Sequence, residues 1–120
     1  MSRKLKSAMA LEGDVSEYMS FENVKRVKEI VNKEAFDYLF PMRNELYTYE
    51  GMLRAIGKFP AFCGESNMYD KDLDKTCKRE LATLFAHFGQ ETGYHDPNNK
   101  EILEWRQGLW HITEWACTEP

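Results

Sequence analysis

The sequence predicts a single, mainly α-helical domain, and three observations support this fold class. Apolar residues recur at steps of three or four in segments near residues 21–39, 49–58 and 72–91, which is the spacing of amphipathic helices. Pro41, Pro60 and Gly93 follow these segments as helix stops. Strand-forming residues gather only near 109–114, so we expect at most a short strand close to the C-terminus.

The first predicted helix runs from about Phe21 to Leu39. Its apolar stripe consists of Val24, Val27, Val31, Ala35 and Tyr38. Residues 1–20 are polar and lack this periodicity, so they predict a flexible lead-in. Residues 21–120 are expected to form one unit, because no linker, repeat or low-complexity tract divides them.

Two further helices are predicted with their caps. Thr48 is placed to cap a short helix from Tyr49 to about Lys58, whose inward residues are predicted to be Met52, Leu53, Ile56 and Phe59. The longest helix starts at Asp72 or Asp74 and ends at Glu91. Its apolar stripe is Leu73, Cys77, Leu81, Leu84, Phe85 and Phe88.

Charge and composition exclude several classes of partner. The chain of 120 residues has a net charge of −4, which argues against non-specific binding of nucleic acid. No apolar run is long enough to span a bilayer, and no basic cluster indicates a membrane surface. The basic start at residues 1–6 is not followed by an apolar core, so no secretion signal is predicted. The three histidines lack metal-ligand spacing, so no metal site is expected.

The three cysteines leave two interpretations open. Cys63 and Cys77 can close a short disulfide loop, which leaves Cys117 over. Alternatively, all three are reduced, buried thiols.

Glu91 is the carboxylate that the pattern itself singles out. Cys77, Leu84 and Glu91 are spaced by seven and lie almost above one another on the helix. Glu91 also falls in the last turn, at the negative end of the helix dipole. Burial and the dipole would both raise its carboxyl pKa, as a general acid requires. The alternative is a solvated side chain at a frayed helix end.

Glu114 is the second candidate carboxylate, in the aromatic segment between Trp110 and Trp115. A pair of carboxyl groups is what glycoside hydrolysis needs: one protonates the leaving oxygen and the other activates water. The alternative is a core strand whose Glu114 side chain points outward.

Three motifs carry a resemblance to a known family. Residues 78–93 read KRELATLFAHFGQETG, residues 47–49 read YTY, residues 59–62 read FPAF, and residues 108–114 read GLWHITE. Their order and spacing, over about residues 40–115, resemble the catalytic domain of family 19 chitinases, which has K-R-E near the start of its catalytic helix and H-E-T-G at the end.

The resemblance implies a lysozyme-like helical fold and hydrolysis of β-1,4-linked N-acetylglucosamine polymers with inversion. Glu91 matches the general acid and Glu114 the general base, with the two carboxyl groups about 6.5–9.5 Å apart. Chitin or a chitin oligosaccharide is the implied partner, with no metal or organic cofactor and an extracellular location. The residues expected to contact substrate are Gln90, Thr92, Trp110 and His111.

This sequence departs from the family pattern in two respects. Gln90 stands where the family usually has His, and the chain ends at Pro120, before the long segment that completes the family's substrate cleft. The domain is therefore expected to be incomplete, the N-terminal half of a truncated enzyme. The alternatives are a non-catalytic binder that uses Trp105, Trp110 and Trp115, a lysozyme-like peptidoglycan hydrolase, and a small helical interaction module. No oligomeric state is predicted.

Overall fold

A computed structural model describes residues 16–64 and 72–112 of the chain. Four α-helices carry the fold: α1 (Glu22–Ile30), α2 (Lys33–Leu39), α3 (Tyr49–Gly57) and α4 (Leu73–Thr92). Two 3-10 helices, Ser16–Tyr18 and Glu104–Arg106, flank them. These residues contain no strand, and the mainly α-helical fold class is confirmed. The segment 109–112 is irregular rather than extended, while residues 113–115 lie outside the described part of the chain.

The prediction of one helix from Phe21 to Leu39 is wrong, because the chain breaks between α1 and α2. Val31 has an extended backbone, and its carbonyl accepts a hydrogen bond of 2.6 Å from the Tyr49 hydroxyl. Asn32 caps the new helix by accepting from the Ala35 backbone amide at 2.9 Å. The Val31 carbonyl and the Ala35 amide therefore both keep a hydrogen-bond partner at the break.

The break also changes which residues of the second segment face the core. Tyr38, predicted inward, has 57% of its surface exposed, whereas Phe36 and Phe40 are almost fully buried. The predicted stripe continued the phase of α1 across the break. In the structure α2 restarts with its own phase, so Phe36 takes the inward position.

Part of the predicted lead-in is ordered. Residues 16–18 form a 3-10 helix, and the ring of Tyr18 contacts Phe21 edge-on at 5.5 Å between centroids. Tyr18 and Met19 pack against the core. Tyr18 and Met19, which the sequence assigned to the lead-in, therefore contribute to the packing of the helices.

The predicted start of α3 is confirmed. Thr48 accepts a hydrogen bond from the Gly51 backbone amide at 2.9 Å. Met52, Leu53 and Ile56 are almost fully buried, as the apolar spacing predicted. Burial raises the pKa of Tyr49 at the first position of the helix, with a smaller contribution from Glu50, so its phenol stays a neutral donor.

Removing this cap gives a first testable prediction. We expect Thr48→Ala to lower the free energy of unfolding by about 1 kcal/mol, because the Gly51 amide loses its acceptor. Urea denaturation followed by circular dichroism measures the change. Thr83→Ala is the matched control, since the exposed Thr83 hydroxyl bonds only to the Arg79 carbonyl one turn earlier. An equal loss in both variants would contradict a capping role.

Helix α4 is the longest element and supplies one wall of the core. Asp72 caps it by accepting from the Lys75 amide at 3.0 Å, and Gly93 ends it. Phe88 is fully buried and lies against Phe40 at 6.1 Å between ring centroids. The predicted stripe is confirmed, with Cys77, Leu81, Leu84 and Phe88 buried and Leu73 and Phe85 partly so.

A disulfide between Cys63 and Cys77 joins the turn after α3 to the start of α4. The backbone of Cys63 is further held on both sides: its amide donates to Glu80 at 2.7 Å and its carbonyl accepts from Arg26 at 2.5 Å. Of the two interpretations of the cysteines, the structure therefore has the bridge. Cys117 lies outside the described residues.

Asn23 ties α1 to the same turn. Its buried side-chain amide donates to the carbonyls of Ile56, Phe59 and Phe62 at 3.0–3.3 Å. These carbonyls lie in the last turn of α3 and in the turn that follows it, so one side chain holds α1 against both. Within the two described ranges, no helix is long and apolar enough to cross a membrane.

Candidate functional site

The candidate site lies where the end of α4 meets the segment 107–112, and we call this place the Thr92 junction. The Thr92 hydroxyl donates to the Phe88 carbonyl and accepts from the Leu109 amide at 2.8 Å. The Thr92 carbonyl accepts from the amides of Trp110 at 3.1 Å and His111 at 2.9 Å. One residue thus fixes three consecutive residues of the returning chain against the helix end.

Two glycines make this close approach possible. A Cβ on Gly93 would lie 2.2 Å from the Gly89 carbonyl oxygen, a distance that no side chain can occupy. A Cβ on Gly108 would lie 3.2 Å from the Phe40 ring and 3.3 Å from the Gly89 backbone nitrogen. Because it has no side chain, Gly93 lets the chain turn away at the end of α4. For the same reason, Gly108 lets the segment 107–112 pass close to the Phe40 ring and to the backbone of α4 at Gly89.

The loop that joins the end of α4 to the segment 107–112 is built around Gln107. Its side chain is fully buried, accepts from the Asp96 amide at 2.8 Å, and donates to the carbonyls of Asp96 and Ile102 at 2.9 and 2.7 Å. Its own carbonyl accepts from the Tyr94 amide at 3.1 Å. Residues 94–103, which precede the 3-10 helix Glu104–Arg106, are therefore held largely by hydrogen bonds between Gln107 and the backbone.

An aromatic surface lies beside the junction. The rings of Tyr94 and Trp110 are 5.1 Å apart between centroids and inclined by 37°. Each keeps close to half of its surface exposed, at 47% and 43%. Two exposed rings held together in this way provide a surface on which the C–H face of a sugar can stack.

Glu91 lies in the last turn of α4, as predicted, and its side chain is half-buried. It follows Cys77 and Leu84 on the same stripe of the helix, and both of those are buried. Glu91 thus takes the next position of that stripe, in the last turn of α4. Glu114, the other predicted catalytic residue, lies outside the described residues.

The other predicted contact residues occupy different environments. Gln90 is exposed, and its carbonyl lies 2.9 Å from His95 Nε2. Trp110 and His111 are exposed next to each other on the returning segment. The Thr92 side chain is fully buried, so it contacts protein here, and its geometry supports a positioning role rather than contact with a ligand.

Sequence reasoning did not single out Tyr94 or Gln107 as members of the site. Tyr94 directly follows the Gly93 stop, and an exposed aromatic beside a helix end is the only local signal that it carries. Gln107 carries none, because its partners are backbone groups five and eleven residues away. Tyr47 belongs to the YTY motif, and the structure adds that its hydroxyl donates to the His111 carbonyl at 3.3 Å.

A separate apolar groove of about 650 Å³ runs along another face of α4. Its lining includes Ala82, Phe85, Gly89 and Trp105, together with Gln90, one of the residues predicted to contact substrate. Glu91 lies nine residues after Ala82, about two and a half turns, and so on the opposite side of the helix. The groove and the Thr92 junction are therefore distinct surfaces.

In comparisons with known proteins, no family model, no curated protein and no solved structure matches this chain. Within residues 16–64 and 72–112, no group of three or more His, Cys, Asp or Glu side chains is placed to hold a metal ion. An assignment of function to the Thr92 junction therefore depends on its own geometry and on the motifs that lie in it.

Proposed function

We propose that the Thr92 junction is the catalytic centre of a chitinase-like glycoside hydrolase acting on β-1,4-linked N-acetylglucosamine polymers with inversion. In this proposal the chain is the N-terminal part of a lysozyme-like catalytic domain. Glu91 is the general acid and Glu114 the general base. The motif resemblance set out above supports the assignment of these two roles.

One observation carries the proposal. The segment that leads to Glu114 is hydrogen-bonded to Thr92, the residue directly after Glu91, through the amides of Leu109, Trp110 and His111. Two carboxylate-bearing segments that are separate in the sequence therefore share one anchoring residue.

The chain length between the anchor and the second carboxylate fits an inverting mechanism. Three peptide steps separate His111 from Glu114, and they span at most about 10 Å between Cα atoms. An inverting enzyme needs its carboxyl groups about 6.5–9.5 Å apart, so that a water molecule fits between one of them and the sugar. The available reach is compatible with this separation.

In the proposed reaction, Glu91 donates its proton to the oxygen of the leaving sugar as the bond from that oxygen to the anomeric carbon breaks. Glu114 takes a proton from the water that attacks the same carbon from the opposite face. The position of Glu91 in the last turn of α4, directly before the residue that anchors the segment leading to Glu114, supports the acid role. No step requires a metal or an organic cofactor.

An extracellular location belongs to the same proposal. The Cys63–Cys77 disulfide supports it, because such bridges persist in oxidising compartments. Chitin, as an extracellular polymer, would be met there.

The experiment that tests the proposal is hydrolysis of chitin hexasaccharide by the purified chain. The products are identified by mass spectrometry, and proton NMR shows which anomer forms first, before mutarotation. We expect shorter oligosaccharides whose new reducing ends start as the α-anomer. Peptidoglycan serves as the second substrate, and faster turnover of it would favour a lysozyme-like specificity. No cleavage of either polymer would contradict the proposed activity.

The exposed aromatic pair favours a second candidate function, binding of chitin oligosaccharide without hydrolysis. Tyr94 and Trp110 offer the stacking surface whether or not chemistry follows. In addition, the neutral Gln90 occupies the position of the family's histidine. A chain that binds hexasaccharide and leaves it intact would support this candidate.

Both candidates predict that the Trp110 ring contacts sugar. We expect Trp110→Ala to weaken binding of chitin hexasaccharide about tenfold, equivalent to about 1.4 kcal/mol, because Tyr94 loses its ring partner and the sugar loses a stacking face. Isothermal titration calorimetry measures the affinity. Trp105→Ala is the comparison variant: the sequence predicted Trp105 as a binding residue beside Trp110, whereas the structure places it, 58% exposed, in the lining of the separate groove. A greater loss in the Trp105 variant would contradict the placement of the binding surface.

A further inference from the structure

We propose that Thr92 is a positioning residue, whose buried hydroxyl and carbonyl together set where Glu91 lies relative to the segment that leads to Glu114. This inference rests on the proposed function for its effect on turnover. Its structural part, that the hydroxyl fixes residues 109–111, stands on the hydrogen bonds alone.

Among the hydrogen bonds that hold residues 109–111, the one from the Leu109 amide to the Thr92 hydroxyl should be the most costly to lose. Leu109 is fully buried, and its amide donates to Thr92 Oγ1 at 2.8 Å. Without that acceptor, a buried amide would be left unpaired, which is among the costly defects in a protein interior. Leu109 also has a φ of 61°, a left-handed conformation that a leucine keeps only where its surroundings impose it.

The hydroxyl and the carbonyl of Thr92 act on neighbouring residues of the same segment. The hydroxyl fixes Leu109, while the carbonyl receives the amides of Trp110 and His111. If the end of α4 offered only the Thr92 carbonyl, residues 109–111 would be held at a single acceptor and could rotate about it. The two points together define both the position and the direction of residues 109–111.

The opposite side of the segment is held independently, so loss of the hydroxyl should displace it without unfolding the protein. Asn44 donates its amide to the Leu109 carbonyl at 2.7 Å, and the Tyr47 hydroxyl donates to the His111 carbonyl at 3.3 Å. These bonds do not involve Thr92. A variant that lacks only the hydroxyl should therefore remain folded and report on position.

Thr92→Val and Thr92→Ser separate the hydroxyl from the shape of the side chain. Valine keeps the volume and loses the hydroxyl, while serine keeps the hydroxyl. In Thr92→Val we expect the Leu109 amide to exchange with solvent about tenfold faster, as the loss of one hydrogen bond predicts. We expect kcat on chitin hexasaccharide to fall about 10²-fold with KM little changed, because the reacting groups are misplaced while the sugar surface remains. Thr92→Ser should restore both quantities toward those of the unmodified chain.

Thr76→Val is the matched control, because Thr76 is a buried threonine of the same helix whose hydroxyl has no hydrogen-bond partner among the described residues. It should change neither quantity. Unchanged exchange at Leu109 in Thr92→Val would overturn the inference, and so would faster exchange with unchanged kcat. If the unmodified chain hydrolyses nothing, the proposed function fails, and the exchange rate of Leu109 alone decides whether Thr92 fixes the segment.

Discussion

The Glu91→Gln variant should lose hydrolysis of chitin hexasaccharide by about 10²–10⁴-fold and keep its affinity for the intact oligosaccharide. Glutamine has nearly the same shape as protonated glutamic acid, so it preserves the contacts at the end of α4. It cannot, however, release a proton to the leaving oxygen. Turnover is followed by mass spectrometry, and affinity by isothermal titration calorimetry.

Glu101→Gln is the control for this measurement, because Glu101 is an exposed carboxylate in the loop held by Gln107. It should hydrolyse the oligosaccharide at the rate of the unmodified chain. Full activity in Glu91→Gln would show that another group is the acid. A loss of binding together with turnover would assign Glu91 to ligand contact instead of proton transfer.

Replacing both Cys63 and Cys77 with serine should lower the free energy of unfolding by about 3 kcal/mol. The bridge closes a loop between residues 14 positions apart, and opening it lets the unfolded chain gain conformational freedom. For a domain of this size, the loss is a large part of the total stability. Urea denaturation measures the difference.

The reduced, unmodified chain provides the control, since a reducing agent should lower its stability by a similar amount and leave the double serine variant unchanged. Mass spectrometry of non-reduced material gives an independent reading. Free alkylation of all three thiols would contradict the bridge, and so would a stability that does not respond to reduction.

Local signals in the sequence were sufficient where a helix is capped and packed by its own residues. Thr48 and Asp72 start α3 and α4 as predicted, because a cap acts over three residues. The apolar stripe from Cys77 to Phe88 was likewise predictable, because the residues of one helix face pack against one core.

The break between α1 and α2 was not predictable in the same way. Asn32 is tolerated inside a helix as well as at its start, so its identity alone does not end α1. The decisive partner is the Tyr49 hydroxyl, which lies 18 residues further along the chain and donates a hydrogen bond to the Val31 carbonyl. The inward prediction for Tyr38 failed for the same reason, because it assumed an unbroken helical phase.

The candidate site was predicted in the same uneven way. Helical spacing placed Glu91 at the end of α4, and the structure has it there, half-buried. The pairing of Thr92 with residues 109–111 is a contact between distant parts of the chain, and no periodicity encodes it. The role of Glu114 remains a prediction, as it lies beyond the described residues.

Gln107 holds the path of its loop through hydrogen bonds to backbone groups, and so largely independently of which side chains the loop carries. The side chain of this one glutamine bonds to the main chain at Asp96 and Ile102, so these contacts do not depend on the side chains of the residues between them. The exposed positions 98, 100 and 101 are thus open to exchange by mutation, while the Asn99 side chain keeps a structural role because it accepts from the amides of Glu101 and Ile102 at 3.0 and 2.9 Å. A lineage, or an engineered library, could vary the chemistry of these exposed positions without rebuilding the loop that presents them.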